Sequence, residues 1–259
     1  MTLRRFALLY SFLLMLILIM VLLGYRQFVA MPKIEQGLAV FQDRELSTLQ
    51  LALNKEISFL KTINYDYSVW KDAYEFIQEY DQEFIDDNFP SDTFTSLKID
   101  GVFIFDDKFN QIWGKGFDYD KNRHFDLPEL NLINFPHNQK LFPAMNSDNK
   151  VPQNSGFLNT SEGPVMFSAT QARNSDRSGE PIGVVVFVRK IRPGLIKSLS
   201  EMSQLGLFSK EIKTTADATT AQPLKGSLQG ENFAHKRQRL ILDINNKPLI
   251  LLNIEHYHS

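Results

Sequence analysis

The sequence predicts an α+β fold on a membrane anchor, and three features of its patterning carry that expectation. Twenty uncharged residues lie near the N-terminus, a long seam of apolar residues at spacings of three and four follows, and from about Asp100 the period falls to two. One antiparallel sheet packed against helices, led by a long N-terminal helix, is the architecture this order implies.

The uncharged run is Phe6 to Tyr25. At helical rise it spans about 30 Å, the thickness of a bilayer's hydrocarbon core. A cleaved signal peptide has a shorter apolar stretch, about 7–15 residues, ending at a small-x-small site. Here bulky Phe28 stands where a small residue is needed, so an uncleaved anchor is expected. Arg4 and Arg5 precede the span and are expected to stay cytoplasmic, with Arg26 and Lys33 weakening that bias. The expected organisation is a cytoplasmic tail over 1–5, a transmembrane helix over 6–25, a stalk helix over 26–62 and an extracytoplasmic domain over 63–259. It amounts to a single-pass protein of the inner (cytoplasmic) membrane with its bulk outside.

After Pro32, residues Ile34, Leu38, Phe41, Leu46, Leu49, Leu53, Ile57, Leu60, Ile63, Tyr67, Trp70, Tyr74 and Ile77 form one apolar seam, which predicts a helix running to Ile77. A seam from Ile34 to Ile63 has little globular partner near the membrane. It is expected to pair with a second copy as a parallel homodimer, although Phe41 and Leu46 depart from strict heptad spacing. From Leu60 onward the helix is expected to lie on its own sheet.

Strand signals follow. Val102 to Phe105 and Gln111 to Trp113 flank Asp106 to Asn110 as a hairpin. Gly156 to Leu158 pairs with Val165 to Ser168 through Ser161 to Pro164, Ile182 to Val188 reads as a buried strand, and Leu240 to Leu242 with Leu249 to Leu252 makes a closing hairpin around Asn245 and Asn246. Pro193 to Phe208 has helical spacing at Leu195, Leu199, Met202 and Leu205. Asp118 to Gln153 is rich in Asn and Pro and should form irregular structure over the sheet, while Thr214 to Glu231 reads as a loop or weak strand.

Composition removes several functions. A net charge of −2 lacks the clustered basic surplus that nucleic acid requires, and the absence of cysteine excludes disulfides, zinc-thiolate sites and thiol nucleophiles. There is no nucleophile elbow, phosphate loop or dinucleotide fingerprint, and no His pairs with Glu at metalloprotease spacing. No enzymatic activity and no cofactor are expected.

The stretch Asn64 to Ile77 contains Asp66, Tyr67, Ser68, Trp70, Asp72, Tyr74 and Phe76, which resemble the signature helix of the type-four CHASE domain. Phe84 to Asn88, Asp100 to Asp106, Gly156-Phe157 before Gly163-Pro164, and Gly179 to Arg189 match further family segments in order. The resemblance covers about Leu46 to the C-terminus and implies a PAS/Cache-like extracytoplasmic sensor of bacterial diguanylate cyclases, phosphodiesterases or histidine kinases. Lys71 departs from it, standing where the family commonly has an acid. Family members continue into a second membrane helix and an output domain, so this chain resembles the input part of a receptor.

Candidate ligand contacts are Asp66, Tyr67, Trp70, Asp72, Tyr74, Asn88 and Arg173. On a helix, Asp66 and Trp70 share a face with Ala73 and Tyr74, setting a carboxylate beside two rings, a corner for a cationic or hydrogen-bonding ligand. Against this, aromatic side chains at seam spacing serve packing. Nine acids between Asn64 and Asp92 face one base, Lys71; a divalent-cation or polyamine site competes there with a solvated helix face. Arg173 and Arg189 could hold a ligand carboxylate or serve as strand-edge charges, and His256 and His258 could bind metal or sit in a frayed tail. Two functions remain open: an extracytoplasmic sensor of an unknown small molecule, and a membrane-tethered module binding an envelope protein. A membrane-anchored hydrolase has no motif behind it.

Overall fold

The computed structural model describes residues 3–147, 150–212, 222–223 and 236–255. His256, His258 and, apart from Gln222 and Pro223, the polar stretch from Thr214 to Glu231 lie outside them. The described residues fall into two compact units, one up to Ser47 and one from Thr48 onward.

The first unit is helical throughout. Helix α1 (Leu3–Tyr25) passes through a π turn at Arg26–Ala30 into α2 (Met31–Ser68), which continues into the second unit. From Phe6 to Leu23 the large apolar side chains of α1 are 44–71% exposed, so the helix offers hydrocarbon on every side. It is long and apolar enough to cross a membrane.

In the second unit α2 turns Leu49, Leu53, Leu60, Asn64 and Ser68 inward, all buried, at spacings of four and seven. The seam is therefore covered by its own domain from Leu49, well before Leu60. Ile34 and Phe41 remain exposed in the first unit.

Contrary to the single helix expected to Ile77, α2 ends at Ser68. Trp70 is extended, with φ −142° and ψ 134°, and a new helix, α3 (Lys71–Gln78), begins after it. Two short helices follow, α4 (Gln82–Asn88) and α5 (Ser91–Leu97), the last closed by Lys98 in the left-handed region (φ 53°).

Strands β1 (Gly101–Asp106), β2 (Gln111–Asp118), β3 (Arg123–Phe125), β4 (Gln153–Thr160), β5 (Gly163–Ala172) and β6 (Gly183–Lys190) form a six-stranded antiparallel sheet in the order β3-β2-β1-β6-β5-β4. Asp106 closes the β1–β2 turn, its Oδ1 accepting from the N–H groups of Lys108 and Asn110 at 2.9 and 2.7 Å. The β4–β5 turn needs Gly163, whose φ is +94°. At Gly183 an added Cβ would stand 2.1 Å from the Phe105 carbonyl oxygen, so only glycine lets β6 approach β1 there.

The segment between β3 and β4 is irregular, as its composition implies, and it covers one sheet face. Phe125, Leu127, Leu130, Leu141 and Phe142 pack there with Phe103, Phe105, Phe167, Val184, Val186 and Val188 in one buried cluster.

The closing hairpin departs from the expected single sheet. Strands β9 (Lys236–Leu242) and β10 (Pro248–Glu255) belong to a second sheet, with β7 (Gly206–Glu211) and the two-residue β8 (Gln222–Pro223), in the order β7-β10-β9-β8. Helix α6 (Pro193–Ser203) occupies only part of the expected helical stretch: Gln204, at φ 57°, stops it, and Leu207 and Phe208 pair with Ile254 and Asn253 instead. The second hairpin's turn is tied to β4 by the Ile244 N–H donating to the Phe157 carbonyl at 2.8 Å.

Candidate functional site

The break after α2 is made by chain from beyond β5. Arg173 pairs with Val69 in a parallel bridge and donates its N–H to the Ser68 carbonyl at 3.0 Å; Ser175 Oγ accepts from the Lys71 N–H at 2.9 Å. These bonds replace helical ones at the point where Trp70 turns extended. Asp66 and Trp70 therefore do not share a helix face with Ala73 and Tyr74, as one continuous helix would require.

The candidate residues separate into three groups around this corner. Tyr67 and Trp70 enter a ring cluster. Tyr67 lies 6.1 Å from Trp70, 5.6 Å from Phe89 and 5.4 Å from Phe187, and Trp70 lies 5.6 Å from Phe84. Burial there raises the Tyr67 phenol above its ordinary pKa. Tyr74 and Arg173 instead hold the loop before β6. Tyr74 Oη donates to the Glu180 carbonyl at 3.4 Å; Arg173, a fully buried cation, donates to Gln171 Oε1 and the Gly179 carbonyl at 2.8 Å each and to the Asn146 carbonyl. Asp72 and Asn88 form the third group. They line an open cleft of about 730 Å³ between α3 and α4 with Glu75, Glu79, Asp81, Glu83 and Asp87, floored by Phe76 and Phe84. Asp66 is exposed on α2 outside these groups.

Where α2 meets the sheet, polar side chains are buried and satisfied. Asn64 donates to the Val185 carbonyl at 3.0 Å, and its Oδ1 accepts from Ser168 Oγ at 3.2 Å and from Thr170 Oγ1. Gln153 Nε2 donates to the Lys61 carbonyl at 2.8 Å and to Thr170 Oγ1 at 2.7 Å. Glu56 of α2 pairs with Arg189 of β6 at 2.7 Å. Nothing local in the sequence marks Asn64 or Gln153 as a polar residue that the fold encloses.

A second ionic cluster, which no local pattern marks, begins one residue further along β6 than Arg189, at Lys190. Lys190 Nζ bonds Asp118 Oδ2 and Glu162 Oε2 at 2.9 Å each; Arg192 bonds Asp100, Asp118 at 2.9 Å and Asp120 at 2.6 Å. Burial pushes the Asp100 carboxyl up, against hydrogen bonds from Arg192 and the Lys190 N–H. At Asp118 burial acts the same way, but hydrogen bonds from Lys190 and Arg192 outweigh it and hold the carboxyl well below the usual range. Burial disfavours the Arg192 cation, yet its bonds to Asp100 and Asp118 raise its pKa further above the ordinary value. Such a cluster is paired and hydrogen-bonded throughout, the condition under which buried charge is tolerated.

Residues 52–208 match the CHASE4 domain family. The chain belongs to that family. A CHASE4 domain is an extracellular sensor domain of signalling receptors, and the described domain is one of these. The methanogenesis regulatory histidine kinase FilI of Methanothrix harundinacea (strain 6Ac) is 21% identical over 155 residues, 60% of this chain; the match spans only 17% of that relative's length. Among solved structures, the extracellular domain of vpHK1S-Z8, described as a histidine kinase, shares the fold at a TM-score of 0.51 and 11% identity, covering 85% of this chain and 95% of that one. The periplasmic domain of Vibrio cholerae LuxQ aligns at a TM-score of 0.46 and 14% identity, over 83% and 98% of the two chains.

Proposed function

We propose that this CHASE4 chain is the non-catalytic input half of a bacterial receptor. It is held in the inner membrane by α1 as a single uncleaved span, with the chain beyond Arg26 outside and the sensor domain from about residue 63. The observation that carries this reading is the uninterrupted helical path from Leu3 to Ser68. Its apolar start suits a bilayer, and its far end is keyed into the sensor sheet through Asn64. A change in the sheet therefore has a covalent helical route to the membrane. The receptor acts as a parallel homodimer whose contact is the exposed first part of α2, around Ile34 and Phe41, because Leu49 and Leu53 are already covered.

Cysteine-free sequence makes the test direct. Single cysteines at Ile34, Phe41, Glu35 and the exposed Asp66 are placed in the full chain in cells. A membrane-impermeant maleimide should label Asp66→Cys in intact spheroplasts, and oxidation should crosslink Ile34→Cys and Phe41→Cys but not Glu35→Cys. Labelling only after lysis refutes the orientation, and uniform or absent crosslinking refutes the dimer.

Of the candidate contacts, we assign ligand encounter to Asp66, Asp72 and Asn88, which face solvent or the open cleft. Tyr67, Trp70, Tyr74 and Arg173 hold the corner in place. The acidic lining and aromatic floor favour a cationic ligand. Asp72→Ala with Asn88→Ala should weaken spermidine binding to the full chain in micelles at fixed ionic strength, with melting unchanged. Unchanged affinity removes both residues from the site.

A further inference from the structure

A cleft separate from the acidic one gathers cations. It measures about 640 Å³ and lies where α2, the left-handed turn after α5, the end of β6 and the start of α6 converge. Its volume falls within the range of small-molecule sites, ~300–1,000 Å³. Lys55, Lys98, Arg189, Lys190 and Arg192 line it against two carboxylates, Glu56 and Asp120.

These cations differ in how far they are already used. Lys190 and Arg192 are already neutralised by Asp100, Asp118, Asp120 and Glu162 and form a fixed, fully paired wall. Lys55 and Lys98 are exposed and have no carboxylate partner among the described residues. Arg189 is engaged by Glu56 alone among the described carboxylates, through Nη1, and both side chains of that pair keep 13–17% of their surface exposed. A guanidinium can accept a second, planar anion through its remaining N–H groups. The backbone of the first turn of α6 is open there, since an added Cβ at Gly194 would meet nothing within 4 Å.

We propose that this cleft binds a compact dianion, the chemistry shared by a dicarboxylate and a phosphate, and that Glu56 is its built-in competitor. In the free protein Glu56 holds Arg189 and thereby pins α2 to β6. An incoming anion, drawn in by Lys55 and Lys98, takes Arg189 over and releases that pin. The ligand thus exchanges one ion pair for another, and the exchange is read by the helix that leads to the membrane. The signalling consequence rests on the sensor reading above; the binding does not.

The test uses the full chain in detergent micelles, titrated with succinate and, separately, with inorganic phosphate, ionic strength being matched with sodium chloride. Saturable stabilisation by at least one dianion beyond the chloride control is expected, because a ligand of the folded state raises its melting temperature by mass action. Succinate alone identifies a carboxylate site, phosphate alone a phosphate site, and both a general dianion site. Lys55→Ala with Lys98→Ala, two exposed positions that leave the fold intact, should weaken that binding about tenfold, the loss of roughly one charge-assisted contact. Glu56→Gln should instead tighten binding severalfold while lowering the melting temperature of the free protein, a pairing of effects that a purely structural salt bridge does not produce. The proposal is overturned if neither dianion saturates, or if both variants bind as the parent does. Either failure leaves the orientation and dimer experiments untouched, so the site can fall without the sensor reading.

Discussion

The two faces of the six-stranded sheet differ in where they place polar groups. Under the irregular segment, Phe103, Phe105, Phe167, Val184, Val186 and Val188 pack against Phe125, Leu130 and Phe142 in a cluster of apolar side chains. Under α2, the same strands present Ser168 and Thr170, and the Val185 carbonyl, to Asn64, with Arg189 reaching Glu56. A dry interface gains by area and tolerates small slips. A hydrogen-bonded one has few geometries that satisfy every group, so it fixes the helix to one register. The helix face thus adds positional definition to the apolar packing, such as Tyr67 on Phe187, that both faces have.

The largest effect expected from this contrast is on the dry face. Phe167 is 0% exposed, and Phe167→Ala should cost about 3–5 kcal/mol, the range for emptying a buried aromatic site. Denaturant unfolding followed through Trp70 and Trp113 measures it, and a loss under 1 kcal/mol would show the face to be loosely packed.

On the helix face, Asn64→Ala strands the hydroxyls of Ser168 and Thr170 and should cost about 1–3 kcal/mol by the same assay. The sharper version replaces the group together, with Asn64→Leu, Ser168→Ala and Thr170→Val. Removing all partners at once should restore most of the stability, since matched apolar groups replace satisfied polar ones nearly neutrally. If the triple variant is as unstable as the single one, the polar face is a stability device after all and the contrast fails.

The smallest effect is the pH dependence set by the ionic cluster. Asp118 and Glu162 have folded pKa values below their ordinary ones. Their contribution is therefore present above the unfolded carboxylate range, ~4, and is lost as pH falls through the lowered values. Asp100, raised by burial, carries the opposite sign and offsets part of the loss. Stability should fall from about pH 5 downward and keep falling below pH 3, and Asp118→Asn should flatten that fall. An unchanged slope in the variant would place the acid sensitivity elsewhere.

Sequence and structure agree where local pattern decides the outcome. Val102 to Phe105 and Ile182 to Val188 could be read as strands because short apolar runs bounded by turn residues leave few alternatives, and Asp106 to Asn110 and Asn245-Asn246 announced their turns. The break at Val69 and Trp70 could not be read this way. Tyr67, Trp70 and Tyr74 keep helical spacing across it, and the groups that open the helix, on Arg173 and Ser175, are about a hundred residues away in sequence. The same distance in chain hid the ionic cluster, in which Lys190 and Asp118 are 72 residues apart and Arg192 and Asp100 are 92. Leu195, Leu199, Met202 and Leu205 carry a helical rhythm into β7, and only the left-handed Gln204 interrupts it. The signature residues Tyr67, Trp70 and Tyr74 gather around the break between α2 and α3. What each does there depends on the strand end that grips it.

The π turn between α1 and α2 has a consequence for how such a helix can report. Across Arg26–Ala30 the Met31 N–H reaches back to the Arg26 carbonyl, one residue further than an α-helix allows. The extra residue offsets the azimuth of α2 from that of α1 by about 100°, one residue's share of a helical turn. The turn thus sets which side of α2 continues each side of α1.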